Sequence, residues 1–306
     1  MKKILLLKHG SFGDIVMALP AFASIRNHFK TSKIFLLTEK KYINFFNESP
    51  YVDICIEDNR NKNFFSIIYN ILKLFHKKFD LIIDLQNSKR TSFYNLLFRI
   101  FQKSKISSSR PFAHFRYIIP KQGKETVNAG LLNQIKMIGV SECINKDYSW
   151  LKIKLKEKFI KPIALFIPGV SKSGYYKQWE PHKFAKIAKY LEKLNYTICV
   201  IGNETDKKSV SPIIQSCSNV LNKIGKSPPK IIYSLALNSK IIFSNDTGPG
   251  HIASLAKNNF IWIVNDNNIS KANLPFGDHV YVIKSSSVKN ISSQEVIDFI
   301  KKNKLF

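Results

Sequence analysis

At 306 residues, 44% of them apolar, the chain is long enough for one large domain or two ordinary ones with real cores, and disorder is excluded. The formal charge is +27, carried mainly by lysine, and arginine is scarce. No zinc finger, basic zipper or RNP-type motif is present, so an acidic lipid surface is a better anionic partner than nucleic acid. The competing explanation is compositional: Lys, Ile, Asn, Phe and Tyr are what AT-rich coding favours. Cys55, Cys143, Cys199 and Cys217 are widely separated and form no CxxC pair, which argues against structural zinc or a disulfide framework. The apolar run after Met1 is too short for a signal peptide or a membrane span, so the expected location is cytoplasmic and at most peripheral to the membrane.

Short apolar runs alternate with stretches of helical period, the mark of βα units around a mostly parallel sheet. The runs Lys3–Lys8, Lys33–Thr38, Asp53–Glu57 and Leu81–Asp84 predict strands. Ile15, Ala18, Leu19, Phe22 and Ile25 share one face of a predicted helix, as do Ile67, Ile71, Leu74 and Phe75. The pattern lapses over the lysine-rich segment Leu151–Lys161. It resumes with predicted strands Ile163–Ile167, Thr197–Ile201, Lys240–Ser244, Phe260–Val264 and Val280–Ile283, and with a helix carrying Phe184, Ile187, Ala188 and Leu191. Ser292–Lys304 reads as a capped terminal helix. Two α/β domains are expected, 1–155 and 156–306, with a ligand held at strand carboxyl ends in the cleft between them.

Three strand-to-helix loops hold the chemistry. His9-Gly10-Ser11-Phe12-Gly13-Asp14 follows the first strand, and there Asp14 could be no more than a helix N-cap. Pro168-Gly169-Val170-Ser171-Lys172-Ser173-Gly174-Tyr175-Tyr176-Lys177-Gln178-Trp179 offers hydroxyls, backbone N–H groups and a lysine to a phosphate, or is a plain solvated loop. Ser244-Asn245-Asp246-Thr247-Gly248-Pro249-Gly250-His251 sets a carboxylate, a hydroxyl and an imidazole at a helix start, where simple capping is the alternative. Glu204 or Asp206, in the turn after Ile201, could hold a ribose or belong to a surface turn. Neither a GxGxxG fingerprint nor a Walker A loop is present.

In this order, the segments resemble glycosyltransferase family 9, whose best-known members are the lipopolysaccharide heptosyltransferases. The resemblance runs from Lys3–Lys8 into Gly13-Asp14 and Leu19-Pro20-Ala21, then through Asp80-Leu81-Ile82-Ile83-Asp84-Leu85-Gln86 and Pro168-Gly169 with Lys177-Gln178-Trp179. Its most specific part is Asn245-Asp246-Thr247-Gly248-Pro249-Gly250-His251-Ile252-Ala253. The chain departs from the commoner pattern at Gly250, at Lys8-His9-Gly10 and at Gly174-Tyr175-Tyr176.

The resemblance implies a GT-B fold with two Rossmann-like domains. It also implies metal-independent, inverting transfer of heptose from ADP-heptose to an anionic, lipid-linked lipopolysaccharide core acceptor, at the inner face of the cytoplasmic membrane and without a cofactor. On it, Asp14 matches the general base, Lys177 the lysine on the donor phosphates, and Asp246 the aspartate on the donor heptose. Thr247, Gly248 and His251 match neighbours of the diphosphate, and Ser171 and Ser173 stand where small hydroxyls meet phosphate. Asp206 is the closer match to the ribose-binding acid, with Glu204 one short shift away. Gly13, Arg90, Arg110 and Arg116 are candidates on the acceptor side. Whether the final helix returns to the first domain stays open. The rival readings are the same fold with another nucleotide sugar, for a surface glycan or a protein, and a catalytically silent nucleotide-binding scaffold.

Overall fold

Residues 2–59 and 64–306 are described by a computed structural model. The chain divides into two compact units, 1–121 with 125–150, and 122–124 with 151–306. The division falls between Trp150 and Leu151. Trp150 packs its ring on Phe45 and Tyr51 of the first unit, and Ile153 N–H donates to Ser234 Oγ (2.8 Å) in the second.

In chain order the first unit contains β1 (Lys3–Leu7), α1 (Phe12–His28), β2 (Lys33–Thr38), α2 (Lys40–Asn47), β3 (Ile54–Glu57), α3 (Phe64–Phe75), β4 (Leu81–Asp84), α4 (Lys89–Phe101), β5 (Lys105–Ser108), β6 (Phe115–Arg116) and α5 (Val127–Lys136). The sheet is parallel, in the order β3-β2-β1-β4-β5-β6. Leu5, Leu7, Phe35, Leu37 and Ile82 form one core face with Ile71 and Leu74 of α3 and Phe98 of α4. The side chain of Ile67, expected beside them, lies outside the described residues.

α1 departs from the one-faced helix expected of it: every residue from Ile15 to Ile25 is buried, because α5 packs along it and Phe22 stacks on Phe46 of α2 at 5.2 Å. Its buried Ser24 hydroxyl donates to the Pro20 carbonyl and accepts from Cys143 N–H, so the polar group is satisfied.

The second unit repeats the plan with β7 (Ile163–Ile167), α6 (Pro181–Lys193), β8 (Thr197–Gly202), α7 (Lys207–Ser216), β9 (Val220–Ile224), α8 (Pro229–Leu237), β10 (Ser239–Asn245), α9 (Gly248–Ser254), β11 (Asn259–Asn265), α10 (Asn268–Ala272), β12 (Val280–Ser285) and α11 (Ser293–Lys302). The parallel order β12-β11-β10-β7-β8-β9 is that of the first sheet read from the other edge. Trp179, Phe184, Ile187, Leu191 and Phe243 fill the core, each fully buried and worth about 1.5–3 kcal/mol by apolar transfer. α11 packs against α6 of its own unit, with Ser292 as N-cap accepting from Glu295 N–H.

Strands β5, β6 and β9 have no counterpart in the apolar pattern. In Lys105-Ile106-Ser107-Ser108 only Ile106 is apolar, and the Ser108 hydroxyl is spent on Asp84 and Asn87. β6 is two residues long, and β9 is a half-buried edge strand that carries Asn222 and Lys223.

In this strand order the chain reverses direction across the sheet between β1 and β4, and again between β7 and β10. Ligands of open α/β sheets gather outside the carboxyl ends at such switch points. All three loops singled out in the sequence leave from these strands. No helix is long and apolar enough to cross a membrane among the described residues.

Candidate functional site

After β1 the backbone must turn sharply, and Gly10 does so at φ +108°, where a Cβ would fall 2.8 Å from Asp14 Oδ2. Ser11, not Asp14, is the N-cap of α1. Asp14 is the third helical residue, its Oδ2 accepting Ser11 N–H (2.8 Å) while its own N–H donates to Ser11 Oγ (3.3 Å). The turn is held from outside, because Gly10 N–H donates to Glu39 Oε1 and Tyr42 O–H donates to the Gly10 carbonyl. Gly13 is buried within the first turn.

Beneath this turn lies a buried polar layer that the loop motifs alone did not reveal. The Lys8 ammonium, 4% exposed, donates to Leu85 O at 3.2 Å. Burial pushes its pKa down, against the charges of Asp14 and Asp84. Asp84 is fully buried and accepts from Gln86 and Asn87 N–H, Asn95 Nδ2 and the Ser108 hydroxyl. Burial still prevails and raises its pKa. Gln86 Oε1 accepts His9 N–H, tying the end of β4 to the first loop. His9 Nε2 sits 3.0 Å from Asp58, which also receives Arg90 Nη2 and Tyr94 O–H. Burial alone would raise the pKa of Asp58, but His9, Arg90 and Tyr94 outweigh it and hold the carboxyl below its ordinary value. The sequence signal for this layer was a charged residue at the end of three strands: Lys8 after β1, Asp58 after β3 and Asp84 closing β4.

The three acceptor-side arginines therefore differ. Arg90 directs its guanidinium to Asp58, Asn59 O and Tyr94. Arg110 follows β5 with Nε buried and without a hydrogen-bond partner in the described structure, and Arg116 is exposed on edge strand β6.

In the second unit, Lys177-Gln178-Trp179 is anchored residue by residue. Trp179 is fully buried, its indole N–H on Ile291 O (2.8 Å) and its backbone N–H on Asn245 Oδ1 (3.0 Å). Gln178 donates to Ser209 Oγ at 2.6 Å. Between these anchors and the end of β10, Lys177 Nζ reaches Asp246 Oδ2 at 2.7 Å, and His251 Nε2 lies 3.8 Å from the other oxygen. Asp246 is 5% exposed in its side chain and Lys177 18%, so the pair is shielded but open on the lysine side. Thr247 is the N-cap of α9 by backbone, and neither its side chain nor Asp246 makes a capping bond. Gly248 opens α9. Ser171 and Ser173 bring their hydroxyls within 3.3 Å of each other on the exposed turn before Lys177.

Asp206 and Glu204 have separate tasks. Asp206 is buried, accepts Asn203 N–H at 2.8 Å, and lies so close to the loop after β7 that a Cβ on Gly169 would fall 2.4 Å from its Cγ. Glu204 is exposed, is paired with Lys207 at 2.8 Å, and opens onto a groove of about 520 Å³ that Asn222 and Lys226 also line.

Gly250 has a steric cause. A Cβ there would meet Ser244 Oγ at 2.4 Å and Trp262 Cζ3 at 2.7 Å, because the buried Trp262 ring, 5.0 Å from that of His251, fills the space. Gly250→Ser is expected to destabilise by about 1–3 kcal/mol through overpacking. Trp262→Leu should relieve the ring's part of that cost and leave the part due to Ser244 Oγ, so a double-mutant cycle by urea denaturation reads the coupling to Trp262.

Among the described residues no group of three or more His, Cys, Asp or Glu side chains is placed to hold a metal ion.

Comparison with known proteins agrees with this architecture. Residues 71–263 match the model of glycosyltransferase family 9 (heptosyltransferase). A lipooligosaccharide heptosyltransferase 2 of Campylobacter jejuni is 25% identical over 257 residues, covering 80% of this chain and 76% of that protein. Lipopolysaccharide heptosyltransferase 3 of Escherichia coli is 21% identical over 80% of this chain and 77% of its own. A glycosyltransferase family 9 structure from Veillonella parvula superposes with TM-score 0.79 at 17% identity, covering 98% of this chain and 96% of that one. The E. coli heptosyltransferase WaaC with ADP-2-deoxy-2-fluoro heptose gives 0.77 at 16%, covering 98% and 99%. The fold is therefore α/β of the GT-B class. The chain belongs to glycosyltransferase family 9, the heptosyltransferase family of lipopolysaccharide biosynthesis.

Proposed function

We propose that the protein transfers heptose from ADP-heptose to an anionic, lipid-linked core acceptor with inversion at the anomeric carbon and without a metal ion. The observation that carries this is the Lys177–Asp246 pair, with His251 beside it, at the second unit's switch point. Charge grows on the departing diphosphate, and in this reading the Lys177 ammonium neutralises it. Asp246 then accepts a sugar hydroxyl. The hydroxyls of Ser171, Ser173 and Thr247, with the backbone at Gly248, donate to phosphate oxygens.

On the acceptor side, Asp14 takes the proton of the attacking hydroxyl. Arg110 is better suited than Arg90 to an acceptor anion, because the Arg90 donors are engaged by Asp58, Asn59 and Tyr94. For the ribose, the exposed Glu204 is favoured over Asp206, whose buried carboxylate braces Gly169.

Calorimetric titration with ADP, UDP and GDP tests the donor class, with ADP expected to bind at least tenfold more tightly. Preference for UDP would keep a transferase but replace the heptose donor. No nucleotide binding would sink the reading in favour of a silent scaffold. Glu204→Ala should weaken ADP binding with unchanged thermal stability, whereas Asp206→Ala should lower the melting temperature. If the two effects are exchanged, Asp206 is the ribose ligand. Turnover should persist in EDTA, and the product's anomeric coupling in NMR reports inversion.

A further inference from the structure

One surface of the first unit joins exposed apolar side chains to cations. α3 is apolar on two sides. Ile71 and Leu74 enter the core, while Phe65, Tyr69 and Leu72, spaced by four and three residues, are 78%, 58% and 50% exposed. α4 packs beside it and ends in Ile100 and Phe101, 58% and 64% exposed. Phe75 links the two helices, its ring 5.3 Å from Phe98 and 5.6 Å from Phe101. Arg99 of α4 donates to the backbone carbonyl of Phe112, whose ring is exposed. The apolar groups therefore lie on neighbouring elements over a single face of the sheet.

Cations predominate on this surface, with the exposed Asp80 beside Lys105 as an acidic neighbour. Lys73, Lys78, Arg99, Lys103 and Lys105 are exposed around the apolar groups. Lys73 Nζ stands 4.1 Å from the centre of the Tyr69 ring. No Asp or Glu occurs from Leu85 to Lys124, and none from Asn59 to Phe79. Coding bias towards lysine does not remove acids from one stretch, nor does it place large apolar side chains in solvent beside the cations. Nucleic acid would match the charge but gives no reason for exposed Leu72, Ile100 and Phe101. Aromatic and aliphatic side chains ringed by lysine are what the headgroup region of an anionic bilayer accommodates.

We propose that the α3–α4 surface of the first unit docks on anionic phospholipid, with Phe65, Tyr69, Leu72, Ile100 and Phe101 entering the headgroup layer and the lysines pairing with lipid phosphates. This rests on the lipid-linked acceptor proposed above for its purpose, and on the surface itself for its chemistry.

Co-sedimentation of the full chain with vesicles of phosphatidylglycerol and phosphatidylethanolamine, and with phosphatidylcholine alone, tests it. Binding should favour the anionic vesicles at least tenfold and fall with salt. The triple variant Phe65→Ser/Tyr69→Ser/Leu72→Ser and, separately, Ile100→Ser/Phe101→Ser should each lower the bound fraction about tenfold. Ile144→Ser/Ile160→Ser, at exposed positions elsewhere, should not. ADP titration of every variant reads the second unit independently. Absence of vesicle binding, wild-type binding by both α3 and α4 variants, or tighter binding to RNA than to anionic vesicles would each overturn the assignment. If ADP fails to bind the wild type while vesicle binding behaves as expected, the donor reading falls and the surface stands.

Discussion

Asp14→Asn is expected to lower the transfer rate by about 100- to 10,000-fold while leaving ADP affinity unchanged. The substitution is nearly isosteric. An asparagine Oδ1 can still accept Ser11 N–H, so the capping box and the start of α1 survive. What is lost is a carboxylate able to take the acceptor proton. Asp14 sits in a turn that is rigid by construction: Gly10 leaves room for its carboxylate, Glu39 and Tyr42 hold the Gly10 peptide from both sides, and Gln86 holds His9. A general base must be placed to within a fraction of an ångström, and the role proposed for Asp14 draws on this fixed turn. Single-turnover assays with ADP-heptose, paired with ADP titration, separate the possibilities. If Asp14→Asn retains most of the transfer rate, Asp14 is a helix cap and the base lies elsewhere. If ADP affinity falls as well, the substitution has disturbed more than proton transfer.

The second large effect is expected at Lys177. Lys177→Met keeps the length of the stem and removes the charge. It should weaken ADP binding at least tenfold, about 1.4 kcal/mol, and lower kcat by a further ~100-fold because leaving-group charge goes uncompensated. The Lys177 ammonium has a partner at 2.7 Å in Asp246, and on the proposed reading a donor phosphate shares or displaces that contact. Removing one member of a shielded pair leaves the other uncompensated, at a cost of about 3–5 kcal/mol for fully buried pairs and less here, where the lysine side is open. Lys177→Met should therefore also lower the melting temperature, and Lys177→Met/Asp246→Asn should regain stability without regaining turnover. Loss of stability with undiminished ADP affinity would make Lys177 a structural counter-ion only.

Much of the fold was legible in the chain. β2, β4 and β7 have the bounds read from their apolar runs, because each lies inside its sheet and buries consecutive side chains. Ser292 and Glu295 marked the last helix through local capping. The strands that escaped were polar or at an edge: β5 is held by serine hydroxyls bonded to Asp84 and Asn87, and β9 is only half buried. The site divided the same way. Lys177, Asp246 and His251, 69 and more residues apart for the lysine, stood out as motif residues, and the fold brings them together in one unit.

The sequence by itself determined the βα alternation, the two-unit plan and the loops that carry chemistry, because periodicity, capping and glycine turns are local and written in neighbouring residues. Only the tertiary structure decided which polar groups are free to act. Arg90 is bound to Asp58, Asp206 is pressed against Gly169, and Gly250 makes room for Trp262. Those outcomes depend on side chains far apart in the chain meeting where water is excluded. There a polar group must take a partner and a methyl group must have space, and no local pattern records either requirement.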